Sequence, residues 1–217
     1  KVDIEKVRAW KNKVVKQLTG GLGQLVKARK ISYIRGMATF LDNKTLEIKA
    51  KEGDDRKISF DNAIIATGAR PIQIPGIDMK NPLIMNSADS LELENIPGSM
   101  LVIGGGYIGL EMATIYHAFN TKVSIAELTD DFMPGTDKDL IRSYKKQGNK
   151  IFKDIFLETK ATRVEKQGEV LKVDFENKEN KKFSKKYDKI LVAVGQQPNT
   201  KNLGLENTSI TSGTFSG

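Results

Sequence analysis

The run Leu101-Val102-Ile103-Gly104-Gly105-Gly106-Tyr107-Ile108-Gly109-Leu110-Glu111 restricts this chain to few architectures. An apolar strand ends at Gly104, and Gly104, Gly106 and Gly109 stand in G-x-G-x-x-G spacing at the mouth of a helix. In a dinucleotide-binding turn the first glycine allows a sharp reversal, the second lets backbone approach a pyrophosphate, and the third lets helix and strand pack closely. The unpaired amides and dipole of the helix start then face the anion. Val123-Ser124-Ile125-Ala126-Glu127 completes the next apolar strand with an acid 18 residues after Gly109, close to the ~20 typical of a ribose-binding carboxylate. Such a carboxylate accepts from both adenosine ribose hydroxyls and repels a 2′-phosphate. No arginine follows in Leu128-Thr129-Asp130-Asp131, so NAD is favoured over NADP.

The surrounding pattern fits that motif. Strands over Met100–Gly104 and Lys122–Glu127 alternate with helices over Tyr107–Phe119 and Asp137–Gln147, an order that demands a parallel sheet with right-handed crossovers. The segments Ile151–Glu158, Thr162–Lys166, Val170–Glu176 and Lys181–Tyr187 read as antiparallel strands, and a last apolar strand, Lys189–Val194, ends at Gly195. Upstream, apolar residues at three- and four-residue steps from Ile4 to Leu25 predict a helix over Asp3–Arg29, capped by Asp3. Gly20, Gly21 and Gly23 follow no strand, so they predict close packing or a bend rather than a phosphate loop. Ile31–Ile34, Ala38–Phe40, Thr45–Ala50 and Lys57–Phe60 read as a β-meander, followed by a strand over Asp61–Thr67 that stops at Gly68. A proline-punctuated connector through Pro75, Pro82 and Pro97 marks a domain boundary, and within it Ser87 caps a short helix reaching Glu94.

Composition removes several classes of function. There is no cysteine, which excludes disulfides, thiolate metal sites and a cysteine nucleophile within these 217 residues. His117 is the only histidine and is read as a surface or packing residue, so no metal site is expected; Trp10 is read as core or interface. The net charge of +8 is spread along the chain. Its densest stretch, Lys178, Lys181, Lys182, Lys185 and Lys186, alternates with Glu176 and Glu179 and has no aromatic platform, the pattern of a solvated hairpin rather than a nucleic-acid surface. No apolar run reaches the ~18 residues of a membrane span, and no secretory leader is visible. The expectation is a cytoplasmic protein with neither membrane nor nucleic-acid partner.

The stretches VRAWKNKVVKQLTGGLGQL (7–25), FDNAIIATGARPIQIPGI (60–77), SADSLELENIP (87–97), GGGYIGLEMATIYHAF (104–119) and LVAVGQQPNTKNL (191–203) resemble the pyridine nucleotide-disulphide oxidoreductases. Within that family the likeness is greatest to the dihydrolipoamide dehydrogenases. The resemblance implies an α/β, Rossmann-like FAD/NAD(P)-binding fold with a parallel sheet plus a β-meander. It implies a partial FAD-binding domain over residues 1–78, an NAD-binding domain over 79–206 and an unmatched tail over 207–217. Ala38 would lie near the FAD adenine, and Thr67 with Gly68 near its pyrophosphate. Gly104, Gly105, Gly106, Ile108, Gly109 and Glu127 would hold NAD, with Ala161 near the adenine and Gly195 near the nicotinamide end. Tyr107 and Glu111 would face the contact between flavin and nicotinamide.

The reaction implied is oxidation of dihydrolipoamide with NAD⁺ as final acceptor, through FAD, in a homodimer that serves the lipoyl domains of 2-oxoacid dehydrogenase complexes. The family's redox C-x4-C, its first FAD-binding G-x-G-x-x-G, its glycine-aspartate motif and its histidine–glutamate pair are absent from these residues. Gln196 stands where an arginine is often found. The chain therefore resembles an internal piece that supplies NAD binding but no redox thiols, and by itself it is expected to be inactive. Other members, such as glutathione- or mercuric-reductase-like enzymes or an NADH oxidase, and a non-catalytic NAD-binding module remain alternative readings.

Overall fold

The computed structural model describes residues 2–211. These fall into two compact units. One comprises Lys11–Ala69 and the described residues from Pro198 on, and the other comprises the described residues up to Trp10 and Arg70–Gln197.

Helix α1 (Ile4–Ala28) begins where the Asp3 carboxylate accepts from the Lys6 amide at 3.2 Å, and it runs without interruption through Gly20, Gly21 and Gly23. A Cβ on any of these glycines would meet nothing within 4 Å, so close packing does not explain them and the helix does not break there. Trp10 is 69% exposed, which overturns its reading as a core residue of these elements. The meander consists of β1 (Gly36–Phe40), β2 (Thr45–Ala50) and β3 (Arg56–Ser59), paired antiparallel in that order. Phe40 and Phe60 meet edge to face at 5.9 Å.

Two expected strands do not form. Ile31–Ile34 and Asp61–Thr67 have extended-type sequences, but neither finds a neighbouring strand among the described residues. Without a partner an extended segment has no ladder to satisfy its amides. Ile64 is accordingly 95% exposed.

The chain passes into the other unit within β4 (Ala69–Pro71), which is followed by β5 (Ile84–Met85), α2 (Ser87–Leu91), β6 (Ser99–Ile103), α3 (Tyr107–Ala118), β7 (Lys122–Ala126), α4 (Lys138–Ile151) and β8 (Asp154–Phe156). The antiparallel strands β9 (Thr159–Gln167), β10 (Val170–Asn177) and β11 (Lys182–Tyr187) come next, then β12 (Lys189–Val192) and β13 (Gln196–Pro198). The cap of α2 is Asn86 rather than Ser87. Its side chain accepts from the Ala88 and Asp89 amides, and the Asp89 carboxylate accepts from the Asn86 amide, a complete capping box.

Five strands form one sheet in the order β5-β12-β6-β7-β8, with every pair parallel. Residues 154–156 were expected to be antiparallel. Instead α4 carries the chain back across the sheet, and Ile155 pairs with Ile125 in the parallel sense. Alternate residues of the central strands serve opposite faces. Met100, Val102, Val123, Ile125 and Leu191 pack with Leu110, Ala113 and Tyr116 of α3. Leu101, Ile103, Ile190 and Val192 pack with Leu171, Val173, Phe175 and Tyr187 of the antiparallel sheet β9–β11. The result is three layers: helices, parallel sheet and antiparallel sheet.

The lysine-rich hairpin is an ion-paired, solvated element. Lys178 pairs with Glu158, Lys182 with Glu176 and Lys185 with Asp154. Among the described residues no helix is long and apolar enough to cross a membrane.

Burial pushes the hydroxyls of Tyr116 and Tyr187 up to about 12. The unfolded chain releases these protons near pH ~10 while the folded chain holds them, so the stability they contribute is full below that pH and lost as pH rises through about 12. Melting temperatures measured across this window should fall steeply. In Tyr116→Phe the fall should be shallower, because one of the two groups no longer titrates.

Candidate functional site

The chain leaves β6 through α3 to β7 and through α4 to β8 on one side, while β12 joins β6 on the other. The order therefore reverses between β6 and β12, and a crevice opens beyond their carboxyl ends, the place where open α/β sheets bind ligands. Gly104 sits at this switch point with φ +110°, and a Cβ there would lie 2.3 Å from the Ala193 carbonyl oxygen. Gly109 faces back onto the same turn; its Cβ would lie 2.2 Å from the Gly104 carbonyl oxygen. Both positions bring backbone closer to backbone than any side chain permits.

A cavity of about 450 Å³ occupies this crevice. It brings together Gly104, Gly106, Tyr107 and Ile108 from the glycine turn, Glu127 from the end of β7, Ala161 from β9 and Gly195 from beyond β12. Gly106 is the N-cap of α3 and no side chain caps that helix, so its first amides carry no side-chain partner. A Cβ on Gly106 would meet nothing within 4 Å, which leaves the backbone open on the cavity side.

Glu127 is 9% exposed and its position is determined on every side. Its amide donates to the Phe156 carbonyl at 2.8 Å, and its own carbonyl accepts from the Thr159 amide at 2.9 Å. Its Oε2 accepts from the Gly105 amide. Its Oε1 accepts from the Thr129 amide at 2.8 Å and from the Thr129 hydroxyl at 2.9 Å. The glycine turn and the loop after β7 are thus joined through one carboxylate. A second link runs from the Met133 amide to the Gly105 carbonyl at 2.9 Å, with the buried Phe132 ring beneath.

The remaining sequence-derived residues lie elsewhere. Gly105 and Gly109 shape the turn from behind. Glu111 is exposed on α3, one turn beyond Tyr107, itself 66% exposed, and does not line the cavity. Ala38, Thr67 and Gly68 belong to the other unit and are exposed. There the Thr67 hydroxyl donates to the Asn199 carbonyl at 2.8 Å, and the Asn199 amide donates to the Gly68 carbonyl at 3.0 Å. Sequence reasoning missed Thr129 and Lys160 at the cavity wall. For Thr129 a signal existed: a threonine two residues after an acid is placed for a local side-chain hydrogen bond.

A three-layer α/β unit with a glycine turn at its switch point and an acid closing the adjacent strand defines a Rossmann-like dinucleotide-binding fold. The chain belongs to the pyridine nucleotide-disulphide oxidoreductase family, whose profile matches residues 2–213. It is 43% identical over 210 residues to the dihydrolipoyl dehydrogenase of Vibrio cholerae, covering 97% of this chain and 44% of that protein. It is 44% identical over 201 residues to the dihydrolipoyl dehydrogenase of Haemophilus influenzae, covering 93% of this chain and 42% of that protein. Among solved structures, the HOCl-induced flavoprotein disulfide reductase RclA from Escherichia coli superposes with a TM-score of 0.81 at 28% identity, over 98% of this chain and 47% of that one. The chain thus spans less than half the length of the curated relatives it matches.

Proposed function

We propose that this chain supplies the NAD-binding part of an FAD-dependent dihydrolipoamide dehydrogenase. The observation that carries the reading is the convergence of the uncapped start of α3, the Glu127 carboxylate and Gly195 on one cavity at the topological switch point. The residues present fit the cofactor. The amides beyond Gly106 suit a pyrophosphate, Glu127 suits ribose hydroxyls and disfavours a 2′-phosphate, and the small Ala161 leaves room for the adenine ring. In this reading Gly195 lies toward the nicotinamide end, while Tyr107 and Glu111 face the flavin side.

FAD is a different case. Ala38, Thr67 and Gly68 are exposed, and none of them lines a described cavity. Alone they do not form an FAD site. Flavin binding, thiol chemistry, the homodimer and service to lipoyl domains of 2-oxoacid dehydrogenase complexes are proposed for a longer parent protein in the cytoplasm, on the strength of relatives more than twice this length. The flavin, when bound, would pass electrons between a dithiol and the nicotinamide; these residues bind and orient the dinucleotide that receives them.

Calorimetric titration of the 217-residue chain tests the reading. NADH should bind, and NADPH should bind at least about tenfold more weakly because Glu127 opposes its 2′-phosphate. Equal affinity for the two, or none for NADH, would refute it. A stand-alone NAD-binding module is the second reading, favoured by a cavity lined wholly within one compact unit. It predicts a colourless chain, whereas retained yellow flavin overturns it.

A further inference from the structure

The main chain of Glu127 is held on both sides by Phe156 and Thr159, so the only freedom left in the residue lies in its side-chain torsions. Three donors hold that side chain. Two of them come from Thr129 and both reach Oε1, which leaves acceptor capacity on Oε2 beside the Gly105 amide. Thr129 is itself tightly tied. Its single hydroxyl proton is shared between Glu127 Oε1 at 2.9 Å and the Asp131 carbonyl at 2.8 Å, and its own carbonyl accepts from the Glu158 amide at 2.9 Å. Asp131 is fastened in turn to Lys145 at 3.0 Å. The loop after β7 thus presents a fixed hydroxyl to the carboxylate.

Resting on the reading of Glu127 as the ribose-binding acid, we propose that Thr129 is a positioning residue that sets coenzyme selectivity by locking the Glu127 carboxylate toward the sugar. A glutamate side chain that loses its hydroxyl partner keeps the Gly105 and Thr129 amides but is held less firmly, and it samples other rotamers more often. It then grips a ribose less often and also opposes a 2′-phosphate less often. Thr129 therefore acts on the ratio of the two coenzymes, not only on affinity.

The test uses the whole 217-residue chain with NADH and NADPH as probes, alongside melting temperatures. Thr129→Val keeps the backbone amide and the branched shape but removes the hydroxyl. It should weaken NADH binding about 5- to 10-fold while changing NADPH binding less than about twofold, so that the ratio narrows. Thr129→Ser should restore both affinities to within about twofold of the parent. If Thr129→Val leaves the NADH-to-NADPH ratio unchanged, whether both affinities hold or both fall together, the positioning role is overturned. Glu127→Ala separates the two levels of argument. If it weakens NADH while Thr129→Val does not, only the Thr129 inference fails; if it leaves NADH affinity untouched, the ribose reading fails and the inference with it.

Discussion

Glu127→Ala should weaken NADH binding about 30-fold or more, by about 2 kcal/mol, and reduce the preference over NADPH to within about threefold. Hydrogen bonds to a charged acceptor are worth about 1.5–3 kcal/mol each, and this carboxylate is 9% exposed at the wall of the cavity. The same substitution removes the like-charge penalty against a 2′-phosphate, so NADPH affinity should rise while NADH affinity falls. Such opposite movements cannot come from unfolding. Stability should drop modestly, because the Gly105 and Thr129 amides lose their acceptor and water entering the cavity satisfies them only in part. Paired titrations of the two coenzymes, with a thermal melt of each protein, measure all three effects.

Gly104→Ala should have the largest effect on stability, about 3–5 kcal/mol, seen as a melting temperature lower by about 10 °C or more. Two independent costs add. The residue has φ +110°, a region that L side chains rarely adopt. Its Cβ would also press to 2.3 Å from the Ala193 carbonyl oxygen, which belongs to backbone following β12 and cannot swing away as a side chain would. Relief requires β6 and β12 to separate at the crevice, which also opens the cavity floor. NADH binding should therefore be lost together with stability. A stable Gly104→Ala protein with unchanged NADH affinity would contradict this account of the switch point.

The glycine turn and Glu127 were legible in the sequence because their chemistry is local. A strand end, a helix start and the next strand end lie within one short stretch of chain, and their spacing follows from the geometry of a β-α-β unit. Ala161 and Gly195 came from family resemblance and line the cavity, yet no local signal marks either one: both are small residues brought in by distant strands. The sequence suggests an antiparallel β8 where the structure has a parallel one, because a short apolar strand looks the same in either direction and only the return path through α4 decides it. Asp61–Thr67 suggests a strand and forms none for a related reason, since an extended-type sequence records a tendency to extend and says nothing about whether a partner strand is present.

Thr129 shows the same division on the scale of one side chain. Its hydroxyl meets Glu127 because the loop folds back onto Gly105, through the Met133 amide and over the buried Phe132 ring. By itself, then, the sequence determined that the chain holds a strand-glycine-helix turn and a downstream acid, because backbone sterics and helix electrostatics act over neighbouring residues. Only the tertiary structure decided that β12 closes the other side of β6, that Ala161 and Gly195 share a cavity with that turn, and that a threonine hydrogen-bonds the acid. Those facts depend on packing between segments far apart in the chain, where burial of both sheet faces, rather than any local preference, selects the arrangement.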